Sequence, residues 1–303
     1  MKYAVAFDIG ATNIRGAIIS EYGSIFKAIK RKIGKVNSQE ELVNQIVGIY
    51  QELDAEKFAP VGLGIGICGP VFPRDGFVYV LPNLGLENIP LKKLVEEKIK
   101  IPTFVSNDAN VAALAEAKLG SGINYKIVQF LTVSTGIGGG LIINGKIIEG
   151  RDGYAQEVGH MIISKESKFK QSAATNSGSW ESLCSGTSLQ HQAEVAGLKN
   201  CDAKKLFELE QSGNEVAKKI VDEWIINMGI ALANINLYIE PNIYVFGGGV
   251  SHSMDPYVDR IIDEVSKHSM IGARGKIHFA KSRLGSDSGL VGAALQAFYL
   301  ASK

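Results

Sequence analysis

Asp8, Gly10, Thr12, Asn13 and Arg15 fall within eight residues, between the apolar runs AVAF and GAIIS. A carboxylate, a glycine, a hydroxyl, an amide and a guanidinium so close together suit the holding of phosphate oxygens and a metal ion, through short polar groups and backbone N–H donors. The same residues would also make an ordinary polar hairpin tip, and this stretch alone leaves both readings open. Asp108 is a second candidate. It stands where the strand pattern IPTFVSN meets the helix pattern DANVAALAEAKL, with Gly120 as the helix stop. The partial positive charge of a helix N-terminus favours an ionised carboxylate there, yet an Asp at such a junction is most simply an N-cap.

Other residues with chemical potential are spread along the chain. Ser134 to Gly140, STGIGGG, reads as a Gly-rich turn whose hydroxyls and backbone could wrap an anion. NIYVFGGGV, Asn242 to Val250, reads as a strand running into a glycine turn, where backbone can lie flat against a base or ribose. Glu157 and His160 are three residues apart in QEVGHMII, which reads as a loop because Gly153 and Gly159 flank them and no helical period is present. Glu181 stands at a helix start in WESLCSGTSLQ. Two tempting motifs fail. G-x-G-x-x-G at Gly64, Gly66 and Gly69 lacks the following helix that would meet a pyrophosphate. G-x-x-x-x-G-K over Gly140 to Lys146 has Ile147 where a hydroxyl is required.

The elements that must position these groups are legible in outline. Val5 to Ser20 reads as strand, turn and returning strand. Ser38 to Leu53 reads as an amphipathic helix behind a Ser cap. Val61 to Val71 reads as one buried strand, and Asn144-Gly145 marks a type I′ turn between LIING and KIIEG. Ser164 to Gly178 reads as an exposed polar excursion, Asn214 to Leu237 as a long helix, VDRIIDEVSKH as another, and Asp287 to Ala301 as an apolar helix with small residues for close packing. Two strand–turn–strand units, about 125 residues apart, imply two related α/β halves and a cleft between them.

With 303 residues the chain fits two domains, and 46% hydrophobic with 21% charged residues is ordinary globular composition. A net charge of +1 with scattered Lys and Arg excludes a nucleic-acid footprint, and KAIKRKIGK reads as a strand's solvated face. Cys68, Cys184 and Cys201 make neither a disulfide framework nor a CxxC pair, which suits a cytoplasmic protein. The N-terminal apolar run is too short for a signal peptide, and nothing in the sequence asks for a membrane.

DIGATNIRGA, GICGPV, LPNLGL, SNDANVAALAEAKLG, VSTGIGGGLIINGKIIEG, EVGHM and VFGGGV, in this order, resemble the ROK family of sugar kinases, open reading frames and repressors, from residue 4 to about 295. The resemblance implies the duplicated actin-like ATPase (ribonuclease H-like) fold, α/β, with two domains and an interdomain cleft. It places a small domain at 1–108 plus 287–303, with a returning C-terminal helix, and a large domain at 109–286. It further implies an ATP-dependent kinase, glucokinase- or hexokinase-like, that phosphorylates the 6-hydroxyl of glucose or a related hexose, with N-acetylmannosamine or N-acetylglucosamine kinase as the alternative and a non-catalytic sugar-sensing protein of the family as the less favoured one. By the same resemblance Asp108 is the general base. Gly69, Asn83, Asn107, Glu157, His160 and Glu181 hold the sugar. Asp8, Gly10, Thr12, Asn13 and Arg15, with Thr135 and Gly136, meet the phosphates of ATP and Mg²⁺, Asp8 being the metal-side carboxylate, and Gly247, Gly248 and Gly249 approach the adenosine. A homodimer is implied as well.

The sequence departs from the family at two places. Many members join a His after this Glu to three cysteines of a C-x-C-G-x-x-G-C run around zinc, but Ser164 to Trp180 has no cysteine, so no structural zinc is expected. Leu86 replaces the family's aromatic residue after N-L-G, beside Asn83. A repressor would carry an N-terminal winged helix-turn-helix, for which a first strand beginning at Tyr3 leaves no room.

Overall fold

A computed structural model describes residues 1–165, 175–273 and 275–302. The chain opens with β1 (Tyr3–Ile9), β2 (Asn13–Ser20) and β3 (Ile25–Lys32), followed by α1 (Gln39–Glu52), β4 (Leu63–Ile67), β5 (Val71–Phe72), β6 (Phe77–Leu81), β7 (Leu86–Ile89), α2 (Leu91–Ile99), β8 (Thr103–Asn107) and α3 (Asp108–Leu119). It continues through β9 (Ile127–Val133), β10 (Ile137–Ile143), β11 (Lys146–Ile147), α4 (Trp180–Cys184), α5 (Gly186–Val195), α6 (Ala203–Gln211), α7 (Glu215–Ile239), β12 (Ile243–Gly247), α8 (Val258–His268), β13 (Phe279–Lys281) and α9 (Ser288–Ala301).

Two five-stranded sheets have matching order, β3-β2-β1-β4-β8 and β11-β10-β9-β12-β13, which is the duplication expected from the repeated strand–turn–strand units. In the first, β1 runs antiparallel to β2 and parallel to β4, and β4 runs parallel to β8. In the second, β12 lies parallel to both β9 and β13. A third, small sheet holds β5, β6 and β7. By internal contacts the chain forms two compact units, residues 1–124 with 140–156 and 283–303, and residues 125–139 with 157–282. This grouping by compactness is distinct from the boundaries at 108/109 and 286/287 drawn from the motifs.

In unit 1, α1 buries Leu42, Val43, Ile46, Ile49 and Tyr50 in the aliphatic core of the first sheet, and Ser38 caps it by accepting from the Glu41 N–H at 3.2 Å. The opposite core is built from small residues, Ala4, Ala6 and Ala17 with Ala115, Ala293, Ala294 and Ala297 of α3 and α9. Backbones touch there. A Cβ at Gly64 would stand 1.9 Å from the Ala293 carbonyl oxygen, and one at Gly292 1.7 Å from that of Val111, so the small residues of the last helix serve close packing as expected. Glu116, fully buried, accepts from the N–H groups of Ser121, Arg283 and Leu284 and so fastens the end of α3 to the approach to α9. In unit 2, α7 packs Trp224, Met228 and Leu232 into a core with Trp180, Phe207 and Tyr257.

Three expectations need correction. Val61 to Val71 is not one strand: β4 ends at Ile67, Gly69 turns the chain at φ 114°, and β5 joins the small sheet. Gly138 to Gly140 are not turn but part of β10, and a Cβ at Gly140 would come within 2.6 Å of the Ala109 carbonyl oxygen, so glycine there admits α3. The third concerns the cap of α3 and is described below. The Asn144-Gly145 turn is as expected, with positive φ at both residues. Most of the polar excursion after Ser164 falls on 166–174, outside the described residues. Among the described residues no helix is long and apolar enough to cross a membrane.

Candidate active site

The parallel register brings the carboxyl ends of three strands of unit 1 level: Asp8 opposes Gly66, which opposes Ser106, and Ile9, Ile67 and Asn107 form the next row. Ligands of open α/β sheets collect at such strand ends. Asn107 is the cap of α3, its Oδ1 accepting from the N–H groups of Ala109 at 2.9 Å and Asn110 at 3.3 Å. This corrects the N-cap reading of Asp108, which is the first helical residue. The Asn107 amide donates to the Gly69 carbonyl at 3.2 Å, tying the strand end to the Gly69 turn.

Asp108 accepts from the Ala109 N–H at 2.8 Å. Burial raises its proton affinity above the usual carboxylate range, and backbone N–H bonds oppose the shift. Asp8 is pushed up to about 6, chiefly by burial and then by the negative charge of Asp108, with Arg15 pulling the other way and Asp287 adding to the rise. Arg15 stands opposite Asp8 in the β1–β2 register, 3.9 Å from its carboxylate, while its guanidinium donates to the Asp287 carboxylate and the Ser286 carbonyl. The first turn of α9 abuts Asp8 so closely that a Cβ at Gly289 would lie 3.1 Å from the Asp8 carboxyl carbon. The Cys68 thiol is pushed up to about 12, by burial first and then by the charges of Asp108 and Asp8, which disfavours its thiolate at neutral pH.

The turn between β1 and β2 closes through Gly10 N–H to the Asn13 carbonyl at 3.0 Å, and the Asn13 amide donates to the Thr12 hydroxyl at 2.8 Å. A Cβ at Gly10 would meet only the Asn13 carbonyl oxygen, at 3.8 Å, and Thr12 is exposed, so this tip presents open backbone and a hydroxyl. Asn83 is exposed on a short 3-10 turn, Pro82–Leu84.

Unit 2 carries the remaining candidates. Thr135 is exposed in the turn of Ser134 and Gly136, closed by the Ser134 N–H to the Gly136 carbonyl at 2.9 Å. Glu181, one residue into α4 after its Ser179 cap, accepts from the Ile137 N–H at 2.7 Å and from the Thr175 hydroxyl at 3.2 Å. It sits 2.5 Å from where a Gly136 Cβ would be, so Glu181 buttresses the turn. Glu157 and exposed His160 bracket a single 3-10 turn, Val158–His160, in the expected loop. The glycine triplet divides by role. Gly247 packs against the Phe130 ring and Gly248, with φ 85°, against the Val133 carbonyl, whereas a side chain at Gly249 would meet nothing within 4 Å. Of the three, only Gly249 has open space where a side chain would stand.

Zinc donors do not converge among the described residues. Cys184 is fully buried in α4 with its sulfur 4.0 Å from the Trp224 carbonyl, and burial raises its thiol far above the ordinary value, while His160 lies exposed. Sequence reasoning missed Asp287, Gly289 and Cys68 as neighbours of Asp8. Their separations from Asp8 carry no periodic signal, although Asp287 ahead of an apolar helix pattern was visible.

A sequence profile described as the ROK family matches residues 4–299. The glucokinase of Halalkalibacterium halodurans is 28% identical over 96% of this chain and 93% of its own. The crystal structure of a ROK hexokinase from Thermus thermophilus matches with a TM-score of 0.88 at 28% identity, covering 99% of both chains. That of a ROK family glucokinase from Streptomyces griseus, in complex with glucose and AMPPNP, matches with a TM-score of 0.81 at 27% identity, covering 98% of this chain and 99% of the other.

Proposed function

We propose that this chain, which belongs to the ROK family and has its duplicated actin-like ATPase fold, is an ATP-dependent hexose kinase that transfers the γ-phosphoryl group to the 6-hydroxyl of glucose or a related hexose. The observation that carries the reading is Asp108. With Asn107 taking over the helix cap, the Asp108 carboxylate is not needed for that task, and its burial gives it more than ordinary affinity for a proton.

Asp108 accepts the proton of the attacking hydroxyl as the new O–P bond forms and the bond between the γ-phosphorus and its bridging oxygen breaks, leaving ADP. Asn107, Asn83 and the Gly69 backbone, with Glu157, His160 and Glu181, bond the sugar hydroxyls, because carboxylates and amides each take two such groups. Gly10, Thr12, Asn13 and Arg15, with Thr135 and Gly136, bind the phosphates, and the turn of Gly247, Gly248 and Gly249 lies against the nucleoside, with open space beside Gly249. Mg²⁺ bound with ATP supplies neutralisation of the phosphate charge. Asp8 fits it, as an oxygen donor whose repulsion by Asp108 is only partly offset by Arg15. The domains at 1–108 with 287–303 and 109–286, a homodimeric assembly and a cytoplasmic location belong to the same proposal.

ADP release measured with a panel of hexoses and N-acetylhexosamines tests it, with Asp108→Asn as the control. Glucose should stimulate turnover in the wild type alone. Stimulation only by N-acetylhexosamines would reassign the substrate, and no stimulation by any sugar would end the kinase reading.

A further inference from the structure

Glu149, the second residue after β11, takes no part in the chemistry above, yet its carboxylate accepts a hydrogen bond from the Ser106 hydroxyl at 2.8 Å. Ser106 is fully buried in β8, one residue before Asn107 and two before Asp108. The Glu149 carbonyl also accepts from the Ala155 N–H at 3.3 Å, closing residues 149–155 into a loop. Two contacts seat that loop on the small sheet. Gly153, at φ 80°, approaches so closely that a Cβ would stand 1.8 Å from the Val71 carbonyl oxygen, and the Tyr154 ring stacks on Tyr79 at 5.4 Å and 27°. The end of β8 is therefore gripped at two points, by Gly69 through the Asn107 amide and by this seated loop through Ser106.

We propose that Glu149 is a positioning residue, which through Ser106 fixes the end of β8 and with it the placement of Asn107 and Asp108 against the sugar. The inference rests on the kinase reading above. Removing the Glu149 carboxylate leaves the buried Ser106 hydroxyl without this acceptor, so the strand end must shift to recover one. Reacting groups tolerate little shift, since a misplacement of about 1 Å can cost about 100-fold in rate.

Steady-state kinetics with varied sugar and varied ATP test this on wild type, Glu149→Ala, Glu149→Gln, Ser106→Ala and the double alanine variant. For Glu149→Ala we expect kcat to fall about tenfold and the sugar KM to rise about threefold, with the ATP KM within about twofold of wild type. Glu149→Gln keeps an acceptor oxygen and should stay within about twofold on every constant, and the double variant should be no worse than Glu149→Ala, since both remove one bond. A structural role alone would lower the melting temperature without this split between sugar and ATP. The inference is overturned if both single alanine variants keep kcat and sugar KM, or if Glu149→Gln is as damaged as Glu149→Ala. Should Glu149→Ala not fold, Ser106→Ala, which deletes one oxygen, carries the same comparison. A wild type that no sugar stimulates overturns the kinase reading and this inference with it, whereas an active wild type with unaffected variants overturns this inference alone.

Discussion

Arg15 and Asp287 are bonded to each other across almost the whole sequence, a guanidinium near the start of β2 donating to a carboxylate at the threshold of α9. The bond makes the C-terminal helix part of the same polar cluster as Asp8, since Arg15 lies 3.9 Å from Asp8 and Gly289 touches it. Asp287 is 45% exposed, so solvent weakens the pair, and Asp287→Asn should lower the unfolding free energy by less than about 1 kcal/mol. Its kinetic effect should also be small, with the ATP KM changing by less than about threefold, whereas Arg15→Ala should raise it about tenfold or more on the proposed phosphate role of its guanidinium. Urea unfolding and ATP titration of kcat check both. An ATP KM insensitive to Arg15→Ala would remove Arg15 from the phosphate site.

Asn107, as the cap of α3, and Asp108, as the proposed base, should differ in what their loss does to stability and to turnover. Asn107→Ala deletes the cap acceptor of α3 and should cost about 1 kcal/mol of stability. Asp108→Asn leaves the cap in place and relieves a buried carboxylate of its charge, so the fold should be no less stable while kcat drops by about 10²–10⁴. Melting temperature and single-turnover rates on the two variants distinguish the roles. An Asp108→Asn protein that melts well below wild type yet turns over normally would reverse the assignment.

The first hairpin and α1 were legible from their apolar patterns and the Ser38 cap, α3 from an Ala-rich run closed by Gly120, and α9 from an apolar run of small residues. The break of Val61 to Val71 was not, since the turn depends on Gly69 taking a positive φ that places its hydrogen where a Cβ would lie 2.5 Å from the Val80 carbonyl oxygen, a tertiary contact. Gly138 to Gly140 misled for the converse reason. Gly140 serves the approach of Ala109 on α3 rather than a turn, and a run of glycines looks alike in either use. Of the site, Asp8 and Asp108 could be marked from their own neighbours in sequence. Asp287, Gly289 and the Ser106–Glu149 bond join residues at separations set by sheet register and helix return, which local spacing does not encode.

The protein should hold no structural zinc. The buried Cys184 sulfur, directed at the Trp224 carbonyl, cannot join His160 without unpacking α4 from α7, and tetrahedral zinc needs about four such donors. Elemental analysis of protein purified without chelator should find zinc well below one atom per chain, and treatment with a chelator should leave the melting temperature unchanged. One zinc per chain, with destabilisation on its removal, would contradict this.

Activity and stability should respond to acid in opposite directions. Burial raises the pKa of Asp108, and that of Glu149 is raised by burial against the opposing bond from Ser106. A base works only when deprotonated, so kcat should fall, as pH decreases, through a value above the ordinary carboxylate pKa of about 4. For stability the sign reverses. Between the ordinary and the raised values the folded chain holds protons that the unfolded chain has released, so Asp8, pushed up to about 6, together with Asp108 and Glu149 makes folding more favourable as pH descends from about 7 to about 5. Asp54, Asp152 and Asp222 have lowered values and stay ionised across that window, so they do not oppose the trend. Urea unfolding of wild type at the two ends of the window should give the higher midpoint at the acid end, and Asp108→Asn should reduce the difference without abolishing it, since Asp8 and Glu149 remain. An acid limb of kcat at the ordinary carboxylate value, or an Asp108→Asn variant with the full wild-type pH slope, would show that Asp108 titrates normally and is not the buried base.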